Sequence, residues 1–138
     1  MSCGAACARQ TLLDQGIDIP EVLIREIAKV SPQTGVDVDG VLTALNKLDP
    51  NNLYVGGGVS PEAFDALNNL GPWIARVKPS TGPHFVIVDG LQNGRVMLRD
   101  PWGANAPGPG QGIQGSVEID DFMEYWRLGV NQAIFVEK

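Results

Sequence analysis

Nitrogen and sulfur ligands for a metal ion are scarce in this chain of 138 residues, which contains one histidine and two cysteines. A structural zinc site takes four nitrogen or sulfur ligands, so these side chains cannot complete one. The two cysteines, Cys3 and Cys7, lie about one helical turn apart. A disulfide between them would close almost no loop and would strain a helix. We therefore expect two reduced thiols and no zinc site of four nitrogen and sulfur ligands.

Positive charge and long apolar runs are scarce as well. The chain has ten lysines and arginines and sixteen aspartates and glutamates. The basic residues are scattered along the sequence, so they form no basic face that could bind phosphate groups. The longest apolar runs, such as residues 85–88, are far shorter than the ~20 residues of a membrane-spanning helix. No signal-peptide pattern opens the chain. These absences exclude a nucleic-acid partner and a membrane span, and they predict a soluble, cytoplasmic domain.

The length and a balance of 43% hydrophobic and 19% charged residues predict one globular domain over residues 1–138. Helical periodicity dominates the first half, and strand-like runs follow Pro72. We predict an α+β fold with a helical lobe over about residues 1–70 and an antiparallel sheet over about 71–138. The glycines at residues 56–58 are expected to form a turn. Helices are predicted at 3–15, 20–30, 37–48, 60–70 and 120–128, and strands at 53–55, 73–78, 84–89, 95–99, 116–119 and 133–137.

A tight turn is predicted at Gln92, Asn93 and Gly94, between two of these strands. Asn-Gly favours a β-hairpin, so the strands at 84–89 and 95–99 are expected to be antiparallel neighbours. Residues at the far ends of a hairpin lie side by side. The pattern therefore brings Asp100 close to His84.

Three residues suited to nucleophilic chemistry lie at the ends of predicted elements. Cys3 begins a helix, where the dipole and the free N–H groups favour a thiolate; the alternative is a small buried hydrophobe. A carboxylate at Asp100 would fix the tautomer of His84 and hold it as the partner of a thiol. The alternatives are a structural histidine at a strand end and an Asp-Pro turn. Together the three residues are typical of a cysteine hydrolase.

The motif SCGAAC at residues 2–7 resembles the nucleophile motif of the bacteriocin-processing cysteine peptidases, which cut double-glycine leaders and form a branch of the papain-like superfamily. HFVIV at residues 84–88 is similar to their histidine strand, and VMLRDP at 96–101 to their strand that ends in Asp-Pro. DPWG at 100–103 also resembles the Asn-Ser-Trp-Gly segment of papain, with Asp in place of Asn. In order and spacing, the resemblance covers nearly the whole chain.

This resemblance implies a papain-like fold with the active site in a cleft between the helical lobe and the sheet. It implies Cys3 as the nucleophile, His84 as general base and acid, and Asp100 as the residue that orients the histidine. Cys7 is the competing nucleophile, because papain has two nearby cysteines and uses the second. We favour Cys3, since a residue one turn inside the helix points to the core more readily than to a cleft. Trp102 is expected to cover the contact between the histidine and the aspartate and to border the substrate; the alternative is a packed surface aromatic.

The resemblance further implies hydrolysis of a peptide bond after Gly-Gly or other small residues, through a thioester and without a metal or organic cofactor. The partner is a protein or peptide substrate. The family places an oxyanion-stabilising glutamine several residues before the nucleophile, whereas only Met1 and Ser2 precede Cys3. We expect a domain cut from a longer polypeptide, or an oxyanion held by the Cys3 backbone N–H and a further group. Loss of one such donor typically slows the reaction about a hundredfold to a thousandfold.

Papain-like domains of this size also resemble toxin modules at the ends of secreted bacterial proteins. This predicts an effector that acts in the cytoplasm of a target cell and is held off by an immunity protein. Two other functions remain open: a non-catalytic domain that binds a peptide, and a glutamine deamidase or transglutaminase with the same triad. Pure binding needs none of the three residues, so their presence argues against the first.

Overall fold

The computed structural model describes residues 3–29, 37–79, 82–100 and 113–137. The α+β class predicted from the sequence is confirmed. Within these ranges, none of the helices is long and apolar enough to cross a membrane. The α-helices are α1 Cys3–Asp14, α2 Glu21–Ala28, α3 Val38–Leu48, α4 Phe64–Leu70 and α5 Ile119–Leu128, with a short 3₁₀ helix at Pro61–Ala63. The strands are β1 Tyr54–Gly58, β2 Trp73–Val77, β3 His84–Gln92, β4 Arg95–Asp100, β5 Ile113–Glu118 and β6 Gln132–Val136.

All of these strands pair antiparallel in one sheet, in the order β1-β6-β2-β3-β4-β5. β6 lies between β1 and β2, because Ile134 is opposite both Gly56 and Ile74. β1 comes from the first half of the chain and β2 from the second. The sheet therefore takes strands from both halves.

Helices α1, α2 and α3 cover one face of the sheet. They bury Leu12, Ile24 and Leu45 in a cluster that also contains the strand residues Ile74 and Ile87. Each of these side chains contributes roughly 1.5–3 kcal/mol by leaving water. This layer fixes α1 against β3.

Helices α4 and α5 cover the other face. Phe64, Phe122 and Trp126 pack there against Trp73 and the strand residue Val88. The rings of Trp73 and Trp126 lie 5.3 Å apart, centroid to centroid. Successive residues of β3 thus alternate between two apolar layers, which is why the strand reads as a continuous apolar run.

The glycines at residues 56–58 form part of β1 and not the turn that the sequence predicts. A Cβ at Gly56 would lie 2.7 Å from the carbonyl oxygen of Ala133, too close for any side chain. The absence of a side chain lets β1 approach β6. Gly57 has a φ of 144°, in the region that favours glycine. These glycines serve close strand pairing.

Candidate active site

The first turn of α1 positions the thiol of Cys3. The residues that follow it are small and fully buried, so the helix packs closely against the sheet. Cys3 itself is half-buried and free of disulfide bonds. Its sulfur makes hydrogen bonds with the side chain of His84 and with the backbones of Phe85 and Gly4.

These contacts change the acidity of the Cys3 thiol. Burial alone raises its pKa, but the hydrogen bonds from His84 and from the Phe85 backbone, together with the charge of His84, outweigh burial. The pKa of Cys3 therefore lies below its ordinary value. A partly exposed thiol with a lowered pKa is a reactive nucleophile.

β3 begins with His84 and β4 ends with Asp100. The Nε2–H group of His84 donates to Oδ1 of Asp100 over 2.6 Å. Since Nε2 is hydrogen-bonded to Asp100, the ring makes its hydrogen bond with Cys3 through Nδ1. Burial alone lowers the pKa of His84, but the hydrogen bonds to Asp100 and Cys3 and their negative charges raise it to about 9. The raised pKa of His84 favours an imidazolium at neutral pH, and the lowered pKa of Cys3 favours the thiolate form beside that charge.

The hairpin of β3 and β4 contains a β-bulge between its turn and these residues. Near the turn Gly90 lies opposite Met97, but past Asp89 the register shifts by one residue and Val88 lies opposite Leu98. Gly90 has a φ of 134°, which a side chain would strain. Asp89 is thus the extra residue in β3.

The register shift decides on which face of the sheet the side chain of Asp100 lies. Ile87 lies opposite Arg99, so the next residue, Asp100, alternates to the side of β3 that carries His84. In a regular hairpin with the same turn, Ile87 would lie opposite Asp100, and the carboxylate would point away from His84. The Asn-Gly turn predicts that the two residues are neighbours, but not the bulge on which their contact depends. The signal for the bulge is the isolated glycine within β3.

Comparison with known proteins identifies the family of the chain. The model of the Peptidase C39 family matches residues 1–137. The chain belongs to this family. C39 members are cysteine peptidases, so the resemblance drawn from the sequence motifs is confirmed. Among curated proteins, no sequence relative of this C39 chain is found.

Solved C39 domains have the same fold as this chain. The peptidase domain of Streptococcus ComA, a bifunctional ABC transporter in a quorum-sensing pathway, is 22% identical, with a TM-score of 0.74 over 98% of this chain and 90% of that one. A double-glycine-motif protease from an AMS/PCAT transporter, solved with the leader peptide, is 21% identical, with a TM-score of 0.72 over 98% of this chain and 83% of that one. A C39-like peptidase from Bacillus anthracis is 16% identical, with a TM-score of 0.73 over 99% of this chain and 88% of that one. The predicted papain-like fold is confirmed.

Cys7, the competing nucleophile, is fully buried in the layer of α1, α2 and α3. Burial, together with the negative charges of Cys3 and Asp100, raises the pKa of Cys7 well above its ordinary value. A thiol that stays protonated inside the core is a poor nucleophile. These properties favour Cys3 as the reactive thiol of the C39 chain.

Trp102, the predicted substrate-binding residue, lies outside the described residues, so its role stays a prediction. Met1 and Ser2, which precede Cys3, also lie outside them. In the part of the chain that the structure describes, no group of three or more His, Cys, Asp and Glu side chains is arranged to hold a metal ion. The site as described consists of a thiol, an imidazole and a carboxylate.

Proposed function

We propose that this C39 chain is a cysteine endopeptidase in which Cys3 is the nucleophile, His84 the general base and acid, and Asp100 the residue that orients the histidine. The observation that carries the proposal is the continuous contact from the Cys3 sulfur through the His84 ring to Asp100, 2.6 Å away. The lowered pKa of Cys3 and the raised pKa of His84 support these roles. An activated nucleophile with an adjacent, oriented base is the arrangement that acyl transfer needs.

The reaction begins when the thiolate of Cys3 attacks the carbonyl carbon of the scissile peptide bond. His84 then donates its Nδ1 proton to the leaving amine, and the C–N bond breaks to leave a thioester on Cys3. The neutral Nδ1 next takes a proton from water, which hydrolyses the thioester and restores the thiolate and the imidazolium. Asp100 accepts the Nε2–H bond throughout, so it keeps the ring oriented and stabilises its positive charge.

The negative oxygen of the tetrahedral intermediate needs hydrogen-bond donors. Cys3 is the first residue of α1, and the first N–H groups of a helix have no partner within it. We assign one donor to the backbone N–H of Cys3. The positive end of the helix dipole also favours negative charge at this position.

The bond that we propose as the target lies after Gly-Gly or other small residues of a protein or peptide. Support comes from the motif resemblance and from the fold shared with the double-glycine-motif protease that was solved with a leader peptide. We propose that Trp102 narrows the cleft, so that residues without side chains enter and larger ones do not. Backbone hydrogen bonds then replace side-chain pockets as the source of selectivity.

Two peptides that differ only in the two residues before the bond, Gly-Gly or Leu-Leu, test this function. The protein should cut the Gly-Gly peptide with a kcat/KM at least about tenfold higher, and Cys3→Ala should cut neither. Mass spectrometry of the products locates the bond. Preference for the Leu-Leu peptide would contradict the narrow cleft. Conversion of a glutamine to glutamate in an intact peptide would indicate the deamidase, and binding without any reaction would indicate the non-catalytic domain.

The setting that we propose is a secreted bacterial toxin that acts in the cytoplasm of a target cell and is neutralised by an immunity protein. This part of the proposal rests on the resemblance in domain kind and size. Expression of the chain in a bacterial cytoplasm should slow growth, whereas Cys3→Ala at the same level should not. Equal growth of the two cultures would contradict the toxin setting and leave the peptidase proposal standing.

A further inference from the structure

Arg99, the residue before Asp100 in β4, makes four hydrogen bonds to two carboxylates. Its Nε and Nη2 donate to Asp89 over 2.9 Å each, and its Nη1 and Nη2 donate to Asp14 over 3.0 and 2.7 Å. The side chain of Arg99 is 14% exposed, so water and salt screen these pairs only in part. We call Arg99, Asp14 and Asp89 the arginine clamp.

The arginine clamp joins the three segments that carry the proposed triad. Asp14 is the last residue of α1, the helix that begins with Cys3. Asp89 is the extra residue of the bulge in β3, the strand that begins with the histidine. Arg99 is bonded in sequence to Asp100. One guanidinium therefore contacts each element that positions a member of the triad.

The arginine clamp fits only the bulged register of the hairpin. Successive strand residues alternate sides, so a shift by one residue exchanges the sides of Arg99 and Asp100. In the observed register Arg99 lies towards α1 and reaches Asp14. If β3 keeps its place, a regular register would turn Arg99 towards the layer of α4 and α5, where Val96 is buried. An unpaired guanidinium in that layer is strongly unfavourable.

We propose that Arg99 is a positioning residue for the triad, because it holds Asp89 in the bulge and α1 against the hairpin and so keeps Asp100 in contact with His84. The inference rests on the proposed function, since this contact matters for catalysis only if His84 serves Cys3. Arg99 acts through its neighbours and does not touch the reacting atoms. Its effect is on the placement of the carboxylate.

Alkylation of Cys3 by iodoacetamide, followed as a function of pH and located by peptide mass mapping, tests this placement without any substrate. In Arg99→Gln the pH midpoint of alkylation should rise, in the same direction as in Asp100→Asn. Arg99→Lys keeps the charge but not the paired geometry, so its midpoint should rise less. The kcat/KM for the Gly-Gly peptide should fall about tenfold to a hundredfold in Arg99→Gln, mainly through kcat.

Two arginines outside the clamp provide matched controls. Arg127 in α5 makes the same paired contact with Glu124, over 3.0 and 2.7 Å, in an exposed position. Arg95 lies in the same strand as Arg99 and bonds to Ser116. Arg127→Gln and Arg95→Gln should keep the wild-type midpoint and kcat. Thermal denaturation of every variant shows whether a change in midpoint or kcat comes with a loss of stability or arises from misplacement of Asp100 alone.

The outcomes distinguish this inference from the proposed function. If Arg99→Gln folds and keeps the wild-type midpoint and kcat while Asp100→Asn changes both, the positioning role of Arg99 is overturned. The proposed triad then stands. A wild-type midpoint in both Asp100→Asn and His84→Ala overturns the proposed triad. If Arg99→Gln does not fold, Asp89→Asn takes its place. It should raise the midpoint by a smaller amount, and an unchanged midpoint overturns the inference.

Discussion

At the residue scale, the two thiols of α1 differ in burial, so their substitution should have different effects. Cys3→Ala should abolish hydrolysis and leave stability near that of the wild type, because a half-buried sulfur fills little of the core. Cys7→Ala should keep most activity and lower the free energy of unfolding by about 1 kcal/mol, the range of a small deletion in a core. Urea denaturation and peptide hydrolysis measure the two effects. An active Cys3→Ala with an inactive Cys7→Ala would reverse the assignment.

The protonation of His84 should limit the reaction at high pH. Burial lowers its pKa, but the hydrogen bonds to Asp100 and Cys3 raise it to about 9. As the pH rises through this value, His84 loses the proton that the leaving amine needs, so kcat/KM should fall. As the pH falls through the lowered pKa of Cys3, the thiolate is lost and kcat/KM should fall again.

The carboxylate of Asp100 should determine the pH at which kcat/KM falls on the alkaline limb of this profile. In Asp100→Asn the histidine loses a charged partner, so the alkaline limb should lie at lower pH than in the wild type. Initial rates measured from about pH 5 to 10 test both limbs, since this interval contains the value of about 9 for His84 and extends well below the ordinary pKa of a thiol. An alkaline limb unmoved by Asp100→Asn would show that Asp100 does not stabilise the imidazolium.

At the element scale, close pairing of β1 with β6 depends on Gly56. A Cβ there would lie 2.7 Å from the Ala133 carbonyl oxygen, so Gly56→Ala should lower the free energy of unfolding by about 1–3 kcal/mol. Gly115 in β5, the other edge strand, is the matched control, because a Cβ there would meet nothing within 4 Å. Gly115→Ala should change stability by about 0.5 kcal/mol at most. Equal melting temperatures of the two variants would show that β1 can move away from β6 without loss of stability.

At the scale of the whole molecule, one sheet carries both helical layers, so the layers should unfold together. Leu45→Ala in one layer and Phe122→Ala in the other should each lower the free energy of unfolding by about 2–5 kcal/mol. In Leu45→Ala made in a Trp102→Phe background, tryptophan fluorescence reports on Trp73 and Trp126 in the opposite layer and should change together with far-UV circular dichroism. Two separate transitions in urea would show that the layers fold independently.

Much of the fold follows from local features of the sequence. Asn93 and Gly94 have φ values of 55° and 76°, the conformation that a two-residue hairpin turn requires and that these residue types favour. Pro61 after Ser60 starts the short helix that leads into α4, as the capping pattern predicts. The candidate site was predictable for a similar reason, because Cys3, His84 and Asp100 each lie at an element end that nearby residues define.

The tertiary structure alone decided the features that depend on distant partners. The Asp89 bulge in β3 sets the face of the sheet on which Asp100 lies, and the chemistry of the Asn-Gly turn does not specify this shift of one residue outside the turn. Gly56 is part of a strand because β6, more than seventy residues later, approaches it. Arg99 meets Asp14 across a separation of 85 residues. Turns and caps depend on residues a few positions apart and can be predicted from the chain, whereas register and ion pairing depend on which surfaces the packed layers bring together.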